Sequence, residues 1–421
     1  MTLLVPNETQ QKTTTVAVLG LGYVGLPTAI ALARNGFRML GIDISAPRLE
    51  MIRQGQADLL EHEQITLKKQ LRSGDLKLAD VSSLTEADVV LVCVPTPIDQ
   101  DRRPDPRILR DACETLVSHA RPGQTFILTS TAHVGSTREL LVEPLAERGL
   151  EVGRDVFVAF SPERIDPGVR EHMTTLTPRV LGGYSDACAD RAQQALHYTC
   201  LELHRVSSLE AAEMTKLYEN TFRAVNIALA FEIADACSTY GLNVAEVTDA
   251  AATKPYAFMP HLASAGVGGH CIGVDPYYLL RPLEDSERPP MLISEAMELV
   301  SSRPYRVAEK ILAALNNRSR VLIVGVSYKS GVADIREAPA LKIMAALAQA
   351  GVEVSYFDPL IPALEIDQRV YEHVAHPDPA DYDLTVITTV HPEVDYAWLD
   401  DCQEIFDCTY RVSTERTKHV L

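Results

Sequence analysis

The sequence predicts an α/β protein: two doubly wound, parallel-sheet units joined by a central, mostly helical segment. Three observations carry this prediction. A short apolar run is followed at once by a glycine-rich turn and a helical pattern; a long helical stretch fills the middle of the chain; and after a polar break over Asn316 to Arg320 the strand and helix alternation starts again. Strands that alternate with helices imply parallel sheets covered on both faces, so their strands read as near-continuous apolar runs.

Composition sets the outer limits. With 421 residues, 46% hydrophobic and 23% charged, the chain has the composition of a soluble globular protein of two or three domains, which excludes disorder throughout. A formal net charge of −18 argues against nucleic acid or an anionic membrane as bulk partner, because phosphates meet a repelling field. Any phosphate site must be local. The eight cysteines, at 93, 113, 188, 200, 237, 271, 402 and 408, include no Cys-x-x-Cys pair; this fits neither a zinc site nor a disulfide scaffold and suggests the cytoplasm. Residues 1–14 read as a disordered polar leader without the features of an export signal. No apolar run approaches the roughly 20 residues needed to cross a bilayer.

Taken in order, Thr15 to Leu19 is the first strand, followed by Gly20-Leu21-Gly22-Tyr23-Val24-Gly25 and a helix from Pro27 to Asn35. Gly20 permits the tight turn, Gly22 lets backbone approach a pyrophosphate, and Gly25 lets helix pack on strand; the pyrophosphate sits on the helix N-terminus around Tyr23 and Val24. Phe37 to Ile42 is a second strand ending in Asp43, roughly 20 residues past the motif, where an acid binds ribose hydroxyls and favours NAD over NADP. Asp88 to Val94 runs into Pro95-Thr96-Pro97, and Thr125 to Thr129 ends at Ser130-Thr131, with a helical stretch from Ile108 to Ala120 between. Ligands gather at the carboxyl ends of such strands, which makes Pro95, Thr96 and Thr131 candidate contacts. The plainer alternative is that prolines and threonines simply end strands. Val156 to Phe160 leads into the charged loop Ser161 to Gly168, where Glu163 is either a site residue or the partner of Arg164.

From Ser208 to Tyr240 the pattern is one long helix whose apolar positions exceed one narrow face, as for a helix buried between domains or subunits. Lys216 and Asn220 share a face of it. A lysine there could stabilise a thiolate or an oxyanion, or could pair with Glu213 or Glu219. In Val267-Gly268-Gly269-His270-Cys271-Ile272-Gly273-Val274-Asp275 a cysteine stands between paired glycines with an aspartate four residues on, the outline of a covalent catalytic centre. A thiol attacks only as thiolate, in an electropositive or helix-terminal setting; a buried, inert cysteine is the alternative. A second helical region covers Met291 to Leu315. Thereafter Arg320 to Val326 is a strand, Ala338 to Ala350 a helix, Val352 to Phe357 a strand ending at Asp358, and Leu384 to Val390 another strand. The turn Gly325 to Lys329 lacks the three glycines, as expected of a related sheet adapted to another ligand. Lys329 and Arg336, with Asp334 between them, supply local charge suited to a diphosphate, or form a solvated loop.

Over nearly all of residues 14–415 the sequence resembles the nucleotide-sugar 6-dehydrogenases, the UDP-glucose and UDP-N-acetylhexosamine dehydrogenases. The matching motifs are Gly20-x-Gly22-Tyr23-Val24-Gly25-Leu26-Pro27, Val94-Pro95-Thr96-Pro97, Phe160-Ser161-Pro162-Glu163-Arg164, Glu213-Met214-Thr215-Lys216 with Glu219 to Asn226, Gly268-Gly269-His270-Cys271-Ile272 with Asp275-Pro276, and Tyr328-Lys329 with Asp334-x-Arg336-Glu337. The resemblance implies an NAD-binding Rossmann domain over 15–205, a central helical domain with the cysteine loop over 206–316, and a Rossmann-like domain for the UDP-sugar over 317–421. It also implies a homodimer built through the central helix.

The chemistry implied is a four-electron oxidation of a sugar primary alcohol to a carboxylate, with two NAD used at one site. Cys271 captures the aldehyde as a thiohemiacetal, whose oxidation leaves a thioester for water to hydrolyse. Lys216 and Asn220 match the pair that stabilises oxyanion charge, Asp275 with Thr131 the groups that position water, and Glu163 an acid/base glutamate. Substrate contacts are implied for Glu163, Arg164, Lys216, Asn220, Arg223, Gly268, Lys329 and Arg336. The Ser-Pro-Glu-Arg-Ile-Asp-Pro-Gly loop and Gly-Gly-His-Cys are similar to the N-acetylhexosamine branch, and Ala250 to Tyr256 with Phe258-Met259-Pro260 to enzymes of UDP-N-acetylglucosamine. UDP-N-acetylmannosamine and UDP-glucose are the alternative substrates; a simple hydroxyacid dehydrogenase and a non-catalytic nucleotide-sugar binder are remoter readings. Three segments depart from the family pattern: Leu262 to Gly266 over the sugar, Phe231 where asparagine is usual, and Ala132-His133-Val134 after Thr131.

Overall fold

The computed structural model describes residues 14–57, 59, 61–99, 101–164, 177–316, 318–412 and 417–421. The expected leader, apart from Thr14, and Ile165 to Gly168 of the charged loop lie outside the described residues. The chain divides into two compact units, one reaching to Tyr218 and including Tyr277–Pro282, the other comprising Glu219–Pro276 and Leu283–Leu421.

The first unit is built on β1 (Thr15–Leu19), β2 (Arg38–Ile42), β3 (Leu76–Ala79), β4 (Val89–Val92), β5 (Thr125–Leu128), β6 (Phe157–Phe160), β7 (Arg179–Gly183) and β8 (Leu203–Val206), in the order β3-β2-β1-β4-β5-β6-β7-β8. The order reverses at β1, the doubly wound arrangement expected from the sequence. All neighbouring pairs are parallel except β6 with β7, where Phe160 faces Gly182 in antiparallel register. Alternate residues of β1 enter different cores: Val16 and Val18 pack on one face of the sheet, Ala17 and Leu19 on the other. That is why the strand has no polar face. Each fully buried Val or Leu of this kind contributes roughly 1.5–3 kcal/mol.

The second unit repeats the plan with β9 (Arg320–Val324), β10 (Glu353–Phe357), β11 (Leu364–Ile366), β12 (Arg369–His373), β13 (Leu384–Ile387), β14 (Ile405–Asp407) and β15 (Thr417–Val420). Their order is β11-β12-β10-β9-β13-β14-β15, reversing at β9, with only β11 and β12 antiparallel among the described pairs. Val321 and Ile323 enter one core, Leu322 and Val324 the other. The glycines that open the two first turns are built alike. Gly20 (φ 87°) has the Cys93 carbonyl 2.8 Å from where a Cβ would stand, and Gly325 (φ 82°) has the Thr389 carbonyl in the same role, so neither admits a side chain.

The central stretch holds the expected long helix, Leu209–Tyr240, and a second over Met291–Leu315. No helix among the described residues is long and apolar enough to cross a membrane.

Candidate active site

In the first unit the dinucleotide turn joins β1 to the helix Gly25–Arg34. The three glycines have separate steric duties. A Cβ on Gly25 would strike the Gly20 carbonyl and approach Val18 Cγ1 to 3.0 Å, whereas one on Gly22 would meet no atom within 4 Å. Gly25 therefore serves helix packing, and Gly22 leaves open the space a pyrophosphate needs. No side chain caps this helix and no acid stands in its first turn, so the positive end of its dipole is not countered locally. Asp43 ends β2 and accepts from the amides of Leu21 and Ser45, each at 2.8 Å, which ties the acid to the turn. These features fit an NAD dinucleotide. Thr96 is buried beyond β4, and Ser130 Oγ donates to the Val94 carbonyl at 2.7 Å, linking the ends of β4 and β5 beside Pro95 and Thr131.

Glu213 accounts for the loop that follows Thr131. It is buried and accepts from Gly135 N at 2.6 Å, Thr137 N at 2.8 Å and Thr137 Oγ1 at 2.6 Å. Burial raises its carboxyl above the ordinary range, against the opposing pull of those donors. Glu213 thus pins the loop, and Lys216 turns elsewhere: its Nζ donates to the Glu163 carbonyl at 2.9 Å. His133, one of the departures, faces Glu139 at 3.4 Å. Glu163 does not form the side-chain pair with Arg164 considered above; its Oε1 accepts from the Arg164 backbone amide at 2.9 Å, and its ion-pair partner is Arg179 on β7, at 3.3 Å. Arg164 Nη1 donates to the Pro178 carbonyl at 3.0 Å.

In the second unit Asn220 Nδ2 donates to Asp275 Oδ2, and both residues are buried. The Cys271 carbonyl accepts from Asp275 N at 2.9 Å, so a tight turn fixes the cysteine against that carboxylate's backbone. Cys271 is exposed, while Cys93, Cys113, Cys188, Cys237, Cys402 and Cys408 are buried and Cys200 is half-buried. The paired glycines answer to Tyr328: a Cβ on Gly268 would come to 2.5 Å from the Tyr328 Cβ, and Gly269, whose N–H donates to the Arg336 carbonyl at 2.9 Å, lies under the Tyr328 ring. Burial, and then the Arg336 charge, pull the His270 imidazole below its ordinary value. Arg336 is not simply a solvated cation. Asp334 grips it in a fork, with Nη2 to Oδ2 at 2.7 Å and Nε to Oδ1 at 3.1 Å, which fixes its orientation and compensates part of its charge. Lys329 is half-buried, and Arg223 is exposed on the long helix.

Two features of this unit were not legible in the sequence. Asp358, which ends β10 as Asp43 ends β2, is completely buried and accepts from Val326 N (2.8 Å), Ser327 N (3.0 Å) and Leu360 N (2.9 Å). His391 receives the Gly331 N–H on Nδ1 (3.0 Å), so Nε2 carries the proton it gives to Asp358 (3.2 Å). Burial works to raise the Asp358 carboxyl, but the His391 hydrogen bond and the Ser327 and Leu360 amides outweigh it and hold it at about 2. The acid of the second unit is thus consumed in bracing the Ser327 to Gly331 loop. Phe231, the second departure, is buried inside this unit with the Arg303 guanidinium 4.8 Å over its ring.

Two doubly wound sheets, one with a dinucleotide turn and the other with its matching acid locked away, together with an exposed cysteine beside an asparagine–aspartate pair, define an oxidoreductase of the dinucleotide-binding class. The chain belongs to the UDP-glucose/GDP-mannose dehydrogenase family: the models of its NAD-binding, central and UDP-binding domains match residues 14–200, 210–300 and 322–413. It is 36% identical over 398 residues to the UDP-N-acetyl-D-mannosamine dehydrogenase of Pyrococcus horikoshii, covering 90% of each chain. It is 34% identical over 392 residues to the UDP-N-acetyl-D-glucosamine 6-dehydrogenase of Pseudomonas aeruginosa, again covering 90% of each. A solved structure of the Pyrococcus horikoshii UDP-D-ManNAc dehydrogenase aligns with a TM-score of 0.85 at 31% identity, over 97% of this chain and 98% of that one.

Proposed function

We propose that this protein oxidises the C6 alcohol of a UDP-N-acetylhexosamine, UDP-N-acetylglucosamine in our reading, to the uronic acid through a thioester on Cys271. The observation that carries this is the exposed Cys271 in one turn with Asp275, whose carboxylate is already engaged by Asn220. Relatives named for the gluco and the manno epimers are about equally similar, which supports the N-acetylhexosamine class. Gly20, Gly22, Tyr23, Val24, Gly25, Asp43, Pro95, Thr96 and Thr131 would hold NAD, which would supply the hydride acceptor for each of the two oxidations.

The chain's own residues do the rest. Glu163 acts as acid/base toward the alcohol or water, and the Cys271 thiolate adds to the aldehyde carbon while Lys216 and Asn220 stabilise the oxygen's growing charge. Loss of a hydride from that adduct leaves the thioester. Asp275 and Thr131 position the water that cleaves it, which frees the carboxylate and returns the thiol. Arg164, Arg223, Gly268, Lys329 and Arg336 hold the sugar nucleotide, with the Asp334 fork pre-orienting Arg336 for a diphosphate oxygen.

We read the working species as a homodimer. The long helix carries one stripe of partly exposed apolar side chains, Met214, Tyr218, Phe222, Leu229, Ile233 and Tyr240, at helical spacing, a face suited to a second copy.

The test is the NADH formed per sugar consumed, with UDP-N-acetylglucosamine, UDP-N-acetylmannosamine and UDP-glucose run side by side on the parent and Cys271→Ser. Two NADH per sugar on an N-acetylhexosamine, lost in the variant, is the expected result. One NADH per sugar with the variant unaffected overturns the thioester route.

A further inference from the structure

We propose that Arg179, a residue outside every motif considered above, is a positioning residue for Glu163; the inference rests on the reading of Glu163 as a group that touches substrate or water. The argument starts from topology. β6 and β7 form the antiparallel pair of the first sheet, with Phe160 opposite Gly182. Ser161 Oγ donates to the Val180 carbonyl at 2.8 Å, so the register runs on past the end of β6 and brings Arg179 opposite Glu163. A parallel strand in the place of β7 would not return the chain to the end of β6 where the glutamate lies.

The pair is almost wholly withdrawn from solvent, with Arg179 1% and Glu163 8% exposed at their side chains and Nη1 3.3 Å from Oε2. A buried guanidinium is costly unless a charge and hydrogen bonds compensate it. Here compensation is partial in a particular way. Arg179 Nη2 donates to the Ser161 carbonyl at 3.0 Å, whereas its Nε and Nη1 and Glu163 Oε2 have no hydrogen-bond partner. Glu163 Oε1 is occupied by the Arg164 amide, and the Glu163 carbonyl by Lys216 Nζ. Oε2 is therefore the carboxylate oxygen without a hydrogen bond, and it is buried against Arg179. Arg179 offsets its charge by proximity without saturating it. Arginine–carboxylate pairs are frequently bidentate, whereas here the guanidinium approaches a single oxygen. Arg179 thus holds the carboxylate in place by charge at a buried oxygen, without donating a hydrogen bond to it.

The experiment compares Arg179→Met, Arg179→Lys, Glu163→Gln and the Met/Gln double variant, measuring kcat and KM with NAD and whichever UDP-N-acetylhexosamine epimer the parent oxidises, and NADH Kd by fluorescence. Expected are a kcat loss of about 100-fold in Arg179→Met, on the order of a lost acid/base contribution, and recovery in Arg179→Lys to within roughly 10-fold of the parent. NADH Kd should stay within about twofold, and the double variant should be no slower than Glu163→Gln alone. Losses that multiply in the double variant, or a parental kcat in Arg179→Met beside a slow Glu163→Gln, overturn the positioning role alone. A parental kcat in Glu163→Gln overturns the reading of Glu163 and this inference with it, as does a parent inactive on both epimers. If Arg179→Met does not fold, Arg179→Lys decides: unchanged NADH Kd with lowered kcat supports the role, and parental kcat or loss of NADH binding overturns it.

Discussion

At the scale of single residues, the eight cysteines sort by environment. Burial pushes the thiol of Cys93 up to about 12, against the pull of Arg179, and that of Cys113 up to about 12 as well. Such thiols are almost wholly protonated near neutrality and do not attack. Cys271 alone is exposed. Iodoacetamide at pH 8, followed by peptide mass spectrometry, should therefore label Cys271 first, with Cys93 and Cys113 slower by more than about a hundredfold, and Cys271→Ser should abolish the fast phase. Equal labelling of the buried thiols would mean that the first unit opens readily in solution. Cys271 was legible in the sequence because paired glycines and a nearby aspartate form a local signal. Arg179 was not, because a single arginine at the head of an apolar strand looks like a strand boundary.

At the scale of elements, the long helix Leu209–Tyr240 was legible from its composition, and its ends agree with the sequence to within one residue. Its side chains divide in a way that a pattern alone does not resolve. Ala228, Phe231, Ala234 and Cys237 enter the core of the second unit, whereas Leu229 and Ile233 remain 53% and 42% exposed. Phe231, one of the departures from the family pattern, belongs to the buried set. The exposed stripe leads to a prediction about assembly. Leu229→Arg with Ile233→Glu should convert a dimer to a 46.3 kDa monomer by light scattering while leaving NADH binding intact. A parent already monomeric at micromolar concentration, or a variant of unchanged mass, would rule out this face as the contact. Glu213 makes a related point: a helix residue that could have paired with Lys216 reaches instead 78 positions back to Gly135.

At the scale of the whole molecule, the same plan is used twice with opposite treatment of one acid. Asp43 sits half-buried at the dinucleotide turn, whereas Asp358 is buried and held by His391 and backbone amides. Because the folded carboxyl lies at about 2, below its ordinary 3.8, it stabilises the second unit above pH 4, and that contribution is lost as pH falls from about 4 toward 2. The shift corresponds to about 2 kcal/mol, roughly halved by pH 3. The single tryptophan, Trp398, packs on Phe357 at the end of β10 and so reports unfolding of this unit. In urea titrations followed by its fluorescence, Asp358→Asn should unfold earlier than the parent at pH 6, with the gap narrowing by pH 3. A gap independent of pH would show that the aspartate acts through shape and not through charge.

The sequence by itself determined the two doubly wound units, the dinucleotide turn, the long helix and the cysteine loop. Each is encoded locally, in apolar period, in glycines that a turn or a close neighbour demands, and in residues only a few positions apart. Tertiary structure alone decided which charged groups meet. Arg179 faces Glu163 because β7 runs antiparallel to β6, Glu213 holds Gly135 and Thr137, and His391 reaches across 33 positions to Asp358. Such contacts require atoms to stand about 3 Å apart, and that separation follows from strand order and register, which no short stretch of the chain contains.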